Sequence, residues 1–136
     1  RPRGAGQQVQ AVVNYYGPAD FTANHVFSPG ARDLVAGFLN TANQQDPVVA
    51  RASPVKYVNK GDAAVLTFHG THDQLVPLDQ AKVLHEALKG AALPERLEII
   101  EGGGHGFQGA ARERTHQITY EFLDRHLLGK PPQPGP

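Results

Sequence analysis

A chain of 136 residues with 13 basic and 13 acidic side chains carries no net charge, which gives no electrostatic reason to expect nucleic acid or an anionic membrane as a partner. No apolar run is long enough to span a bilayer, and the absence of cysteine excludes disulfides, thiolate nucleophiles and thiolate metal sites. The length suits about one domain with a modest core.

The chain opens R-P-R-G-A-G and contains no methionine. No start and no signal segment is visible, so a mature or truncated N-terminus is expected and no compartment is indicated. Residues 1–8 are basic, polar and Gly-rich and read as a linker. Val9 to Tyr16 is rich in β-branched and aromatic residues and is cut off by Gly17-Pro18, so it reads as a strand. Its nearly continuous apolar character suits a strand covered on both faces, as in a parallel sheet.

From Ala19 to Asn59 the pattern weakens. Ser28-Pro29-Gly30 is a turn, and Ala31 to Leu39 predicts a short helix. Asp46-Pro47 is an N-cap followed by proline at the first helical position, opening a short helix through about Ala52 that Ser53-Pro54 ends. The segment is too irregular for a sheet and reads as a lid-like insertion over one end.

Asp62 to His69 is the second strand, followed by a turn over Gly70-Thr71-His72-Asp73. Pro77 to Gly90 is the clearest helix: Leu78, Ala81, Leu84, Leu88 and Ala91 fall on one face, and Gly90 stands as the stop. Glu95 to Glu101 is the third strand. Gly109 to Leu128 is the last helix, with Ile118, Phe122 and Leu127 toward the core. The Pro-rich stretch from Lys130 to Pro136 is expected to be a disordered tail. Strands separated by helices predict an α/β fold with a parallel sheet, in one domain over residues 9–129.

In such a sheet, ligands sit beyond the carboxyl ends of the strands. Asp73 and His105 both fall there, separated by 32 residues, room for one helix and one return strand. Their loops should therefore be neighbours. An acid and then a histidine, each on a strand-end loop, is the back half of a Ser-His-Asp arrangement. A buried carboxylate that accepts the Nδ1 hydrogen of a histidine fixes its tautomer and steadies the imidazolium formed in catalysis. Gly102, Gly103, Gly104 and Gly106 around His105 open backbone conformations closed to other residues.

Plainer readings compete with each assignment. His105 alone could be a loop histidine satisfied by solvent, but Asp73 in the matching loop argues against that. Asp73 could be a turn-forming aspartate. Asp79 is a rival acid, yet it lies in the first turn of the Pro77 helix, where the helix dipole accounts for it. His69, His72 and Asp73 suggest a metal site only weakly: His69 ends a strand, and His85 lies on the polar side of its helix. Ser28 and Ser53 are the only serines. Each precedes a proline and neither has the G-x-S-x-G elbow, so turn or helix-end roles suit them better than nucleophile.

The stretches V-Q-A-V-V-N-Y-Y-G-P-A-D-F, A-S-P-V-K-Y-V, V-L-T-F-H-G-T-H-D-Q-L-V-P-L-D-Q-A and E-G-G-G-H-G-F together resemble the C-terminal half of an α/β-hydrolase. The likeness is to the esterase and prolyl-oligopeptidase-like branch, including acetyl-xylan and feruloyl esterase-like proteins, and covers Val9 to Leu128. The resemblance implies that Gly17-Pro18-Ala19-Asp20 follows the sixth strand, that Asp73 is the triad acid and that His105 is the base. It implies that Val76-Pro77 turns into the next helix and that Ser53-Pro54 and Tyr57 form a structural segment leading into the acid-bearing strand.

The family's oxyanion segment and G-x-S-x-G nucleophile would lie upstream of Arg1. The resemblance thus implies a carboxylic-ester hydrolase, with a small-molecule ester or acyl substrate and no cofactor or metal. This chain would hold only its acid and base, and is expected to be inactive alone. A serine peptidase of the prolyl-oligopeptidase kind, a non-catalytic relic or binding domain, and a small-molecule binding module are the alternatives. An upstream half, or self-association through the strand edge it would leave open, is the expected partner.

Overall fold

The computed structural model describes residues 8–131. Most of the linker expected at residues 1–8, and residues 132–136 of the expected tail, lie outside the described residues. Three parallel strands form one sheet in the order β1-β2-β3: β1 is Ala11–Tyr15, β2 is Ala64–Gly70 and β3 is Glu95–Ile100. Ala11 to Tyr15 lie opposite Ala64 to Phe68, and Val65 to Gly70 lie opposite Glu95 to Ile100. The long central strand is the most buried, with Leu66, Phe68 and His69 fully enclosed.

Between β1 and β2 the chain makes a 3-10 turn at Phe21–Val26, helix α1 (Pro29–Leu39), helix α2 (Pro47–Arg51) and a 3-10 turn at Pro54–Tyr57. Helix α3 (Leu78–Gly90) joins β2 to β3 and packs on both, and helix α4 (Gly109–Leu128) follows β3 and packs on β1 and β2. Alternation along the strands assigns the faces. Leu66 and Phe68 meet Ile118 and Phe122 of α4, with Val13 and Tyr15 beside them. Each fully buried side chain of that size contributes about 1.5–3 kcal/mol.

The irregular segment has a small core of its own, Phe21, Leu39 and Val49. Ser28 caps α1, its hydroxyl accepting from Ala31 N–H at 3.3 Å, and Asp46 caps α2, accepting from Val48 N–H at 2.9 Å. Ser53 is fully buried; its hydroxyl donates to the Val49 carbonyl and accepts from Phe21 N–H. The segment reaches the sheet's carboxyl end, where Phe27 and Ala31 pack on Val76.

Several expectations need correction. Strand β1 is not covered on both faces: Val12 is 38 % exposed and Val9, outside the strand, 64 %, because α3 lies over β2 and β3 instead. Tyr16 is not strand but turns to φ 45°. Leu127 is 46 % exposed. Ile118 and Phe122 are four apart and share a stripe, whereas five further residues rotate Leu127 away from it; His126 takes the next turn and stacks on Phe122.

Helix α3 does end at Gly90, as expected, but the left-handed turn that closes it comes two residues later. That conformation falls on Ala92 (φ 55°), with Leu93 N–H donating to the Leu88 carbonyl and Ala92 N–H to the Lys89 carbonyl. This is a Schellman ending with alanine where glycine is usual, closed by the buried pair Leu88 and Leu93.

Candidate active site

The carboxyl ends of β2 and β3 carry the two loops that hold the candidate residues. Past β2 the chain turns back on itself over Asp73 to Val76. Asp73 Oδ1 accepts hydrogen bonds from Leu75 N–H at 2.9 Å and Val76 N–H at 2.8 Å. The turn-forming role expected of an aspartate there is therefore present, and it occupies one oxygen only. The other, Oδ2, accepts from His105 Nδ1 at 2.8 Å. The carboxylate side chain is fully buried, while the imidazole is 33 % exposed. A carboxylate only accepts, so His105 Nδ1 carries the hydrogen, and in the neutral ring Nε2 keeps its lone pair. Such a ring can take a proton from a hydroxyl and return it to a leaving group.

The two loops are held in register by backbone bonds. Thr71 N–H donates to the Ile100 carbonyl at 3.1 Å and His72 N–H to the Gly103 carbonyl at 2.8 Å. The Thr71 hydroxyl accepts from Gly102 N–H and donates to Glu101. Gly102 and Gly106 do adopt positive φ, of 71° and 148°. Gly103 is needed for a different reason: a Cβ there would sit 3.0 Å from the Phe107 ring and 3.1 Å from Ile100. A Cβ at Gly104 would meet only the His72 carbonyl oxygen, at 3.9 Å, so neither crowding nor backbone angle requires glycine there.

Three residues of the site escaped the sequence reading, and a fourth, His69, was weighed there only as a strand end and a weak metal ligand. Tyr16 closes over His105, with ring centroids 4.5 Å apart, and its left-handed backbone places it there. Nothing in its residue type signals that conformation, although the following Gly17-Pro18 marks a turn. Gly70 is the tightest point between the loops. Gln80 is buried in α3, where its side-chain oxygen accepts from Ala19 and Asp20 N–H at 2.9 and 2.8 Å and pins the loop that follows β1 to α3. His69 is fully buried beside Asp73, and its place at the end of an apolar run gave no sign of that contact.

The metal alternative gathers little. Among the described residues, no three His, Cys, Asp or Glu side chains converge to hold an ion. Asp79 pairs with Lys82 on the exposed side of α3, and His85 pairs with Glu95 of β3. The hydroxyls of Ser28 and Ser53 are both engaged with backbone.

A parallel sheet with helices packed on it, and an acid and a histidine paired across adjacent strand-end loops, defines a partial α/β-hydrolase fold. Residues 3–88 match the BD-FAE family, and the chain belongs to it. Esterase LipC of Mycobacterium tuberculosis is 31 % identical over 135 residues, covering 91 % of this chain and 32 % of LipC.

Among solved structures, a truncated carbohydrate esterase from gut microbiota is 28 % identical with a TM-score of 0.64, over 82 % of this chain and 42 % of that one. The Pyrococcus horikoshii acylaminoacyl peptidase shares the fold, with a TM-score of 0.75 at 23 % identity over 93 % of this chain and 21 % of that one. The chain thus spans less than half the length of each of these relatives. Among the described residues, no helix is long and apolar enough to cross a membrane.

Proposed function

We propose that Asp73 and His105 are the acid and base of a Ser-His-Asp triad that hydrolyses carboxylic esters, with the serine supplied from outside these 136 residues. The observation that carries this reading is the 2.8 Å bond from His105 Nδ1 to a fully buried carboxylate. It leaves Nε2 as the ring's free base on a partly exposed imidazole. In acyl transfer the serine oxygen attacks the ester carbonyl while Nε2 takes its proton. Nε2 then protonates the departing alkoxide, and water repeats the sequence to release the acid. Asp73 orients the ring and stabilises the imidazolium without taking the proton itself. The esterases among the relatives support small-molecule esters as the substrate class.

The same dyad would serve a serine peptidase, and the shared fold with an acylaminoacyl peptidase favours keeping that second reading. One experiment separates them. The protein carrying an in-frame upstream G-x-S-x-G segment is assayed with a short-chain p-nitrophenyl ester and a peptide p-nitroanilide. Ester turnover should dominate and should fall by about 10³-fold or more in His105→Ala. Preference for the anilide would favour the peptidase. Ester turnover within about tenfold of wild type in His105→Ala would refute the assignment of the base.

A further inference from the structure

His69 is fully buried, yet the acid–base reading gives it no task. It stands near the end of β2, a strand enclosed by packing, where an apolar side chain would ordinarily sit. Its Nε2 lies 2.7 Å from the Val76 carbonyl oxygen and 3.5 Å from Asp73 Oδ2. Both are acceptors, so Nε2 carries the hydrogen. Its Nδ1 is sealed from solvent and has no hydrogen-bond partner. Leaving a polar atom buried and unpaired forfeits its hydration with nothing in return. An imidazole kept at that cost calls for a compensating role.

The contacts of Val76 show what that role is. Its N–H donates to Asp73 Oδ1, and its carbonyl accepts from His69. The acid-bearing turn is thus closed on one side by its own carboxylate and tied on the other to the central strand. The oxygen beside His69 Nε2 is Oδ2, the one that receives His105. The Nε2–H is aimed mainly at Val76, but its positive end lies next to Oδ2 in an interior where such a charge is weakly screened.

We propose that His69 is a positioning residue for the dyad. It fixes the Asp73–Val76 turn to β2 and holds Oδ2 directed at His105. It touches no substrate, and its importance for catalysis rests on Asp73 and His105 being acid and base.

The test is the tautomer of each ring, read by nitrogen NMR on the histidine-labelled chain at a pH where imidazoles are neutral. In the wild type, His69 should be in the Nε2–H form and His105 in the Nδ1–H form. His69→Leu removes the donor and keeps the bulk, and His105 should then become a mixture of tautomers. His69→Gln places an amide nitrogen where Nε2 was and should restore the single Nδ1–H form.

Finding wild-type His69 in the Nδ1–H form, or an unchanged His105 in His69→Leu, would overturn the proposal. If His69→Leu does not fold, His69→Asn replaces it, since its shorter amide does not reach Val76. His105 alike in the Asn and Gln variants would then overturn the proposal, and a mixture in Asn alone would support it. If no variant folds, the wild-type tautomer of His69 decides.

In the serine-bearing protein, His69→Leu should lower kcat about 10²-fold with KM little changed, and His69→Gln should recover most of the loss. Absence of ester turnover in the wild type would refute the hydrolase reading and leave the NMR result standing.

Discussion

Gly70→Ala tests the geometry of the site at its narrowest point. Gly70 ends β2 directly against the His105 loop. An added Cβ would lie 2.8 Å from the Gly104 carbonyl oxygen, and the Gly103 carbonyl is closer still. Both obstacles are backbone, so no side chain can rotate aside, and the loops must separate by about 1 Å to restore ordinary contact. That displacement is comparable to the tolerance of the 2.8 Å bonds joining His72 to Gly103 and Asp73 to His105. Overpacking of this kind costs about 3 kcal/mol, at the upper end of its usual range. For a domain of this size, that lowers the melting temperature by roughly 10 °C.

Gly37 of α1 is the control: a Cβ there meets nothing within 4 Å, so Gly37→Ala should stabilise by about 0.5–1 kcal/mol. Urea unfolding followed by circular dichroism measures both, and amide exchange at His72 reports the loop contact directly. A Gly70→Ala variant within about 0.5 kcal/mol of wild type, with His72 still protected, would refute the reasoning.

Four further outcomes follow from particular contacts. Ala92→Gly should stabilise by about 0.5–1 kcal/mol, because Ala92 carries the left-handed cap of α3 without the freedom of glycine; an unchanged melting curve counts against a strained cap. Burial, and then the neighbouring Arg125, hold His126 below its ordinary value of 6.5, so the unfolded chain binds that proton first and stability falls as pH drops from 6.5 through the folded value. His126→Gln should therefore narrow the loss of melting temperature between about pH 7 and about pH 5, and an equal loss in both proteins would contradict the sign.

Asp73→Asn keeps an oxygen for the Leu75 and Val76 amides but turns a donor toward His105, so it should melt near wild type while His105 leaves the Nδ1–H tautomer; retention of that tautomer would show the bond to be dispensable. The chain should self-associate through β1, whose Val12 side is open, rather than through β3, whose Glu98 is engaged by Arg96 and Arg114. Val12→Lys should restore a monomer on sizing, and a wild type that is monomeric at every concentration refutes the idea.

The sequence made the element order legible because strands and helices here follow local rules. β-branched runs form β1 and β2, a three-and-four spacing forms α3, and aspartate before proline starts α2, whereas Ser28-Pro29-Gly30, read as a turn, is the cap and first residues of α1. The juxtaposition of Asp73 and His105 was legible for a related reason. A parallel sheet places consecutive strand ends side by side, so two loops one helix and one strand apart must meet.

What stayed hidden depends on contacts between segments remote in sequence. Tyr16 leaves the strand because Gly17-Pro18 turns the chain, and its ring finds His105 from across the sheet. Gly70 is glycine because of Gly103, not because of its own backbone angles. Leu127 shows the limit of periodicity itself, since one residue of offset moves a leucine from core to solvent.

Asp73 unites the two kinds of information. Its turn-forming role is local and its pairing with His105 is not, and the two looked like competing explanations. They coexist because a carboxylate has two oxygens: Oδ1 closes the turn and Oδ2 faces the histidine. The local bonds fix where the long-range one can point, so the plain reading of this aspartate is the physical basis of the chemical one.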